Sequence, residues 1–325
     1  MVIQVSGLCK QYGEIRALQD ISLDVASPAV IGLLGPNGAG KTTFVEILEG
    51  LRRPTSGRVT VLGLDPAAHP RALRERIGVQ LQANALPREL TPLETLRLFG
   101  AFFTRSQRRP VGNQAHTPPG QRASPPSRSA LELLDRVGIA DHARARNYTL
   151  SGGQQRRLSL ALALVNDPEV VLLDEPTSGL DPEARQQVHA LLAELRAAGR
   201  TVLWSTHSTE EAEELCDRVI LLRSGRVVAD GAPLELVGHA TGQTQFWIQV
   251  AGDLDPAPLE RAGAVVLGNE GNYLRLAASS APPVIIALGE LAHRGQIELV
   301  DLRMKRPGLE DVYLGLMRDA VEGAP

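Results

Sequence analysis

The most constraining feature of this 325-residue chain is the stretch Gly35-Pro36-Asn37-Gly38-Ala39-Gly40-Lys41-Thr42, entered directly from the apolar run Val30 to Leu34. It satisfies G-x-x-x-x-G-K-[ST] between a strand and a helix, the setting in which backbone N–H groups close around a di- or triphosphate. The glycines let the backbone approach the phosphates, and a helix beginning near Lys41 adds the positive end of its dipole. Lys41 can bridge β- and γ-phosphates. The Thr42 hydroxyl is a hard oxygen donor suited to Mg2+, a small cation that accepts few protein ligands. Phe44, Ile47, Leu48 and Leu51 follow at i, i+3, i+4 and i+7, a stripe that predicts anchoring of the cradle on a sheet.

Two later apolar runs also end in reactive residues. Val170 to Leu173 leads into Asp174-Glu175-Pro176, placing two acids at the carboxyl end of a buried strand, where open α/β sheets bind ligands. Asp174 is expected to hold a metal ion and Glu175 to polarise an attacking water. Thr201 to Ser205 ends in Thr206-His207, which puts His207 near a γ-phosphate. A second glycine-rich helix start, Leu150-Ser151-Gly152-Gly153-Gln154, precedes the apolar face Leu158, Ala161, Leu162 and Val165. Its free N–H groups make it another anion site, and one nucleotide has no need of both within one chain.

From Met1 to about Val237, short β-branched runs alternate with longer helical patterns, the rhythm of an α/β domain on a largely parallel sheet. Thr91-Pro92-Leu93-Glu94 is a capping box opening a helix to about Phe103. Thr104 to Ser129 holds five prolines, five arginines and no acidic residue, a composition that predicts an exposed loop. After the polar stretch His239 to Gln245, a unit of about 80 residues reads as strand Phe246 to Val250, a short helix, two strands, helix Val284 to Ala292, strand Ile297 to Leu302 and a last helix, Leu309 to Met317. The β-α-β-β-α-β order suggests a small ferredoxin-like α+β sandwich. The expected domains are therefore 1–237, with a helical subdomain at about 83–165 carrying the 104–129 insertion, and 238–325.

With 34 basic and 37 acidic side chains, the net charge of −3 argues against a protein whose main task is neutralising nucleic-acid phosphates. No run approaches the roughly 18 apolar residues of a membrane span, and the N-terminus lacks a signal-peptide layout. The chain is expected to be cytoplasmic. Cys9 and Cys216 form no C-x-x-C pair, so neither a disulfide framework nor a thiolate metal site is indicated.

Together with the P-loop and the acidic strand, Leu150 to Gln154 resembles the signature of the ATPase subunits of ATP-binding cassette (ABC) transporters, over Val2 to about Val237. The resemblance implies a P-loop NTPase fold, ATP and Mg2+. Gly35, Pro36, Asn37, Gly38, Ala39, Gly40, Lys41, Thr42 and Thr43 would hold the phosphates, with Thr42, Gln82 and Asp174 at the metal and Glu175 as base. It implies that Tyr12 stacks on adenine and that His207 is the switch histidine. Gln82 would sense Mg2+ and the γ-phosphate, although Gln80 lies two residues earlier and would face the same side of a strand. Ser178-Gly179-Leu180-Asp181 matches the D-loop, whose aspartate communicates across a dimer interface. In that family two cassettes pack head to tail, so Ser151, Gly152, Gly153 and Gln154 of one chain close on the nucleotide of the other. A separate integral membrane permease completes the machine on the cytoplasmic face of the membrane. The closing motif Arg306-Pro307-Gly308-Leu309-Glu310-Asp311-Val312-Tyr313 is similar to the tails of ABC-2 type drug- and antibiotic-exporting ATPases. Export is the implied direction. An importer ATPase and a soluble ABC ATPase that remodels a nucleic-acid or ribosomal partner are the alternatives, the second weakened by the single cassette and the acidic net charge.

Overall fold

The computed structural model describes residues 1–26, 28–80, 86–106, 129–238 and 243–318. The chain divides into two compact units, Met1–Pro233 and Leu234–Pro325. In chain order the first runs β1 (Ile3–Tyr12), β2 (Ile15–Val25), β3 (Val30–Leu34), α1 (Lys41–Leu48), β4 (Ser56–Val61), α2 (Pro70–Arg74), β5 (Ile77–Gln80), α3 (Pro92–Ser106), α4 (Ala130–Arg136), α5 (Gly152–Ala163), β6 (Val170–Asp174), α6 (Pro182–Ala197), β7 (Thr201–Thr206), α7 (Thr209–Leu215), β8 (Arg218–Arg223) and β9 (Arg226–Gly231).

Strands β3, β6 and β7 are buried along their whole length, as expected of parallel strands covered on both faces and written as continuous apolar runs. They lie at the centre of a six-stranded sheet, β5-β6-β7-β3-β8-β9, parallel except for β9. A separate antiparallel sheet, β2-β1-β4, accompanies it; the alternation read from the sequence did not separate this layer from the parallel one. Ile3, Val5 and Leu8 of the antiparallel sheet share one apolar cluster with Ile31, Leu33, Val170, Leu172 and Leu203 of the parallel sheet. Phe44, Ile47 and Leu48 of α1 sit in that cluster. Leu51 does not. The helix stops at Leu48 and Leu51 is 53% exposed, because the chain turns at Gly50, where φ is +75° and a Cβ would meet Pro66 O at 2.5 Å.

The helical segment is built from α3, α4 and α5. Thr91 and Glu94 form the expected box: Thr91 N donates to Glu94 Oε2 at 2.8 Å and Glu94 N to Thr91 Oγ1 at 3.2 Å. Helix α3 runs on to Ser106, so the start of the segment expected as a loop is helical, the last turn extending a helix already nucleated. Ser129 caps α4 in a second box with Glu132. Residues 107–128 lie outside the described residues. Buried Asn147 ties the chain ahead of α5 to α3, donating to Thr95 Oγ1 and Pro87 O, each at 2.8 Å.

The second unit contains α8 (Pro233–Gly238, beginning at the boundary), β10 (Thr244–Ala251), α9 (Ala257–Arg261), β11 (Ala264–Glu270), β12 (Tyr273–Ala278), α10 (Ala281–His293), β13 (Glu298–Lys305) and α11 (Leu309–Arg318). The division falls at Pro233, ahead of the expected position near Val237. Its sheet is antiparallel with order β11-β12-β10-β13. Phe246, Ile248, Leu259, Leu276, Val284 and Leu288 form its core. The alternate residues of β10 point the other way, because the side-chain period of a strand is two. Among the described residues no helix is long and apolar enough to cross a membrane.

Candidate active site

Parallel pairing brings the reactive ends of three adjacent strands to one rim. Leu34, the last residue of β3, stands beside Thr206 of β7, and Asp174 of β6 stands beside Ser205. The residues that follow, Gly35, Glu175 and His207, therefore leave the sheet side by side at its carboxyl edge, where sheets of this kind bind ligands.

After β3 the backbone makes a loop that only glycine can form at two points. At Gly35 a Cβ would lie 2.3 Å from Leu222 O, and at Gly40, where φ is +104°, it would lie 2.6 Å from Ala17 O. Pro36, Asn37 and Gly38 crown the loop in solvent, while Ala39 is buried beneath it. Helix α1 begins at Lys41, and the N–H groups of its first turn have no intrahelical acceptor. Thr42 is exposed and Thr43 half-buried in that turn. Lys41 is 6% exposed and donates from Nζ to Gly35 O at 2.7 Å and Pro36 O at 3.3 Å. Burial pushes its ammonium below the ordinary lysine range, while Glu175 and Asp174 pull it back up. A buried cation in a loop of carbonyl acceptors is poised to exchange them for phosphate oxygens.

Asp174 is 3% exposed. Thr42 Oγ1 donates to its Oδ2 at 3.0 Å, and the Ser205 hydroxyl donates to its Oδ1. The sequence reading passed over Ser205 as part of a strand. Glu175 follows with φ +50°, a left-handed conformation that costs a non-glycine residue roughly 1–3 kcal/mol. Three bonds hold it there. Glu175 N donates to Ser205 O at 3.1 Å and Ser205 Oγ at 3.0 Å, and Arg156 Nη1 donates to Glu175 O at 3.1 Å. Arg156 also donates to Ser178 O. His207 Nδ1 lies 3.9 Å from Glu175 Oε1, beyond hydrogen-bond range. Its side chain is 65% exposed, so it is free to turn toward a third body.

Behind the rim sits Glu211, 6% exposed, which the sequence reading also missed. Ser208-x-x-Glu211 looks like a capping box, and half of one forms: Glu211 N donates to Ser208 Oγ at 3.1 Å. The carboxylate turns inward instead of back to the cap. It accepts from Thr177 Oγ1 at 2.9 Å and Thr206 Oγ1 at 3.2 Å, and pairs with His189 at 3.2 Å and Arg185 at 3.5 Å. Thr177 lies two residues after Glu175, and Thr206 immediately precedes His207, so one carboxylate fastens both.

Other candidate residues occupy separate surroundings. Tyr12 ends β1, 36% exposed, with Lys10 Nζ 4.8 Å and the Arg52 guanidinium 5.7 Å from its ring centroid. Gln80 ends β5 and is 2% exposed, its Nε2 directed at Arg156 O at 3.4 Å. Gln82 lies outside the described residues. Ser151 is the N-cap of α5 in a closed box with Gln154: Gln154 N donates to Ser151 Oγ at 3.2 Å and Ser151 N to Gln154 Oε1 at 2.9 Å. His142 holds Gln154 from the other side, ring nitrogen to amide nitrogen at 2.8 Å. Ser151 and Gly152 are exposed, and among the described residues a Cβ on Gly152 would meet nothing within 4 Å, while one on Gly153 would meet Leu180 Cδ2 at 3.3 Å. Asp181 is the N-cap of α6, accepting from Ala184 N at 2.9 Å. That bond holds its carboxyl below the usual range. Both cysteines are free thiols, and burial pushes that of Cys216 up to about 12.

Known proteins resemble this chain in sequence and in fold. A family profile described as ABC transporter matches residues 18–178. The chain is 37% identical over 319 residues to the daunorubicin resistance ATP-binding protein DrrA3 of Streptomyces coeruleorubidus, covering 98% of this chain and 96% of that one. It is 37% identical to the Nod factor export ATP-binding protein I of Sinorhizobium fredii, covering 97% and 86%, and 37% identical to the doxorubicin resistance ATP-binding protein DrrA of Mycobacterium tuberculosis, covering 99% and 95%. Among solved structures, an ATP-binding subunit of an ABC transporter superposes with a TM-score of 0.61 at 26% identity, covering 73% of this chain and 92% of that one. A dimeric post-hydrolysis cassette bound to ADP and phosphate superposes with a TM-score of 0.59 at 29% identity, covering 71% and 98%. The chain belongs to the ABC transporter family, as one of its ATP-binding, ATP-hydrolysing subunits.

Proposed function

We propose that the chain works as one half of a head-to-tail pair, in which each ATP is gripped by the Gly35 to Thr43 loop of one copy and by Ser151, Gly152, Gly153 and Gln154 of the other. The observation that carries this reading is the start of α5. It is exposed and glycine-rich, with space in front of Gly152 that the described residues do not fill. A second glycine-rich helix start in a chain whose first one already has a lysine and a buried carboxylate needs an anion from outside.

Within the site, Lys41 binds the β- and γ-phosphates and Tyr12 offers its ring to the adenine. The donor set fits Mg2+: a hydroxyl and a carboxylate oxygen, Thr42 Oγ1 and Asp174 Oδ2, stand 3.0 Å apart, both hard ligands. Thr42, Asp174 and Gln82 would hold such an ion, which would supply positive charge to offset that of the phosphates. Glu175 accepts the proton of the attacking water, its carboxylate aimed by the strained backbone, and His207 swings to the γ-phosphate. Asp181 and the Ser178 to Leu180 turn carry the state of one site to the other. ATP binding then favours the closed pair and hydrolysis removes that bias.

The work is delivered to a separate membrane permease from the cytoplasmic face, and the direction is export of a drug-like, antibiotic or lipid-like molecule. The exporter and drug-resistance ATPases cited above are matched along nearly their whole length, the second unit included. That unit, about 238–325, is read as an accessory to the pair. Glu175→Gln tests the chemistry: turnover should fall on the order of 100-fold or more, with ATP still bound and a dimer appearing by light scattering only when ATP is present. Near-normal turnover would remove Glu175 as the base. Co-purification with a permease and stimulation of the ATPase by transported drug would test the export assignment.

A further inference from the structure

Strand β13 closes one side of the second unit's sheet, β11-β12-β10-β13. One of its long edges is bonded to β10, and among the described residues no strand of the sheet lies along the other. Its apolar side chains are only partly covered: Leu299 is 39% exposed, Val300 56%, Leu302 36% and Met304 40%. The opposite margin, β11, is interrupted at its centre. Its register against β12 breaks between Val266 and Gly268, the kind of bulge that discourages edge-to-edge pairing. The register of β13 also shifts, at Val300, which has no β10 partner between Asp301 (opposite Gln249) and Leu299 (opposite Val250); Asp301 to Lys305 stay in unbroken register with Gln245 to Gln249. The regular stretch Asp301 to Lys305, with partly exposed apolar groups, can serve as a template for another strand.

We propose that the other strand is β13 of a second copy, joined antiparallel with Leu302 on the two-fold axis, so that two C-terminal sheets become one. Symmetry limits the choice. Side chains directly opposite one another in a sheet share a face, and a two-fold axis perpendicular to the sheet keeps each residue on its own face. A closed pair of identical antiparallel strands must therefore set some residue opposite itself. Centring on Asp301 or Arg303 puts like charges together at the axis. Centring on Val300 sets the Asp301 carboxylate against Leu299 and Glu298 against Leu302. Centring on Leu302 sets leucine on leucine, Val300 on Met304 and Asp301 on Arg303, the last two twice by symmetry. The Asp301 and Arg303 side chains share one face, Arg303 Nε donating to Asp301 Oδ2 at 2.9 Å, and both also bond the Tyr273 hydroxyl on β12, from which they would have to turn outward to meet their counterparts. The edge is complementary to itself in one register.

Eight residues of strand bury less than the roughly 1,600 Å² of a standard stable interface. The edge therefore acts once two copies are already close, and for that it rests on the ATP-held pair proposed above, which raises the effective concentration of one edge for the other. Cysteine crosslinking tests the register, since directly opposed Cβ atoms in a sheet are close to disulfide distance. The full chain carrying Glu175→Gln is combined with Leu302→Cys, Val300→Cys or Val265→Cys, and Glu175→Gln alone controls for Cys9 and Cys216. With ATP and mild oxidant, Leu302→Cys should give disulfide-linked dimer at least about tenfold faster than Val300→Cys or Val265→Cys. A mixture of Val300→Cys and Met304→Cys chains should crosslink where neither does alone. If light scattering shows the ATP-dependent dimer but Leu302→Cys reacts no faster than Val265→Cys, the β13 pairing is wrong and the cassette pair stands. If ATP produces no dimer, the cassette reading falls. The same rates at high chain concentration then decide β13: a tenfold preference at Leu302 supports the pairing and none overturns it.

Discussion

The molecule contains two glycine-rich helix starts, and they hold their glycines for opposite reasons. In the Gly35 to Lys41 loop the chain's own packing demands them: a Cβ at Gly35 or Gly40 would strike backbone carbonyl oxygens at 2.3 and 2.6 Å. At the start of α5 nothing of the kind applies. Gly152 has no positive φ and open space ahead of it, and the cap is already satisfied by Ser151 and Gln154. A residue that the fold does not require to be glycine, at a helix end already capped, fits the proposed approach of a body from outside. The first start is built for folding and for ligand together. In the pairing proposed above, the second is left open for a partner's ligand.

That contrast can be broken by substitution, and the largest effect is expected where the fold is least concerned. Gly152→Asp should leave the melting temperature unchanged or slightly raised, since a carboxylate suits a helix N-terminus. ATP hydrolysis should nevertheless fall on the order of 100-fold, because that carboxylate would face a triphosphate held by the other chain. A steady-state ATPase assay beside a thermal melt checks both halves. Gly40→Ala should do the reverse and lose about 3 kcal/mol of stability through the strained φ and the contact with Ala17. Denaturant unfolding would show it, with nucleotide affinity lost alongside.

Two buried carboxylates near the first start should produce smaller effects. Glu211→Ala strands the hydroxyls of Thr177 and Thr206 and should cost about 2 kcal/mol, with turnover reduced more than ATP affinity because the groups beside Glu175 and His207 lose their tie. Glu49, 3% exposed at the end of α1, has its carboxyl pushed from 4.5 to about 8, first by burial and then by Glu46 and Asp174, against Arg74. A raised carboxyl pKa means that the fold binds the proton more tightly than the unfolded chain does. Its contribution is full below about pH 4.5 and is lost as pH rises through 8. Glu49→Gln should therefore raise the melting temperature at pH 9 and change it little at pH 5, giving a flatter stability profile than the parent chain.

The cradle, the acidic strand end and the capped start of α5 were legible in the sequence because each is local: an apolar run, a short motif and a helix signal within about ten residues. The missed residues act over distance. Arg156 reads as the polar side of a helix, yet it holds the backbone of Glu175, 19 residues away. Ser205 reads as one more strand residue until parallel pairing sets it beside Asp174. Glu211 presents a capping pattern whose carboxylate finds better partners in the interior. Leu51 fits the helical period of α1, but the turn at Gly50 ends the helix before the period can place it. The layer β2-β1-β4 depends on pairing between Ile3–Tyr12 and Ser56–Val61, which no local pattern encodes.

Mixing two inactive chains provides the sharpest test of sharing between copies. Lys41→Ala disables the cradle of its own chain, and Ser151→Ala the helix start of its own. In a heterodimer, the intact cradle of the Ser151→Ala chain meets the intact helix start of the Lys41→Ala chain, giving one complete site and one doubly defective site. The mixture should hydrolyse ATP at a rate well above the sum of the separate chains, rising with the fraction of heterodimer. No recovery in samples where heterodimers are shown to form, or full-rate hydrolysis by a verified monomer, would contradict a nucleotide site shared between two copies.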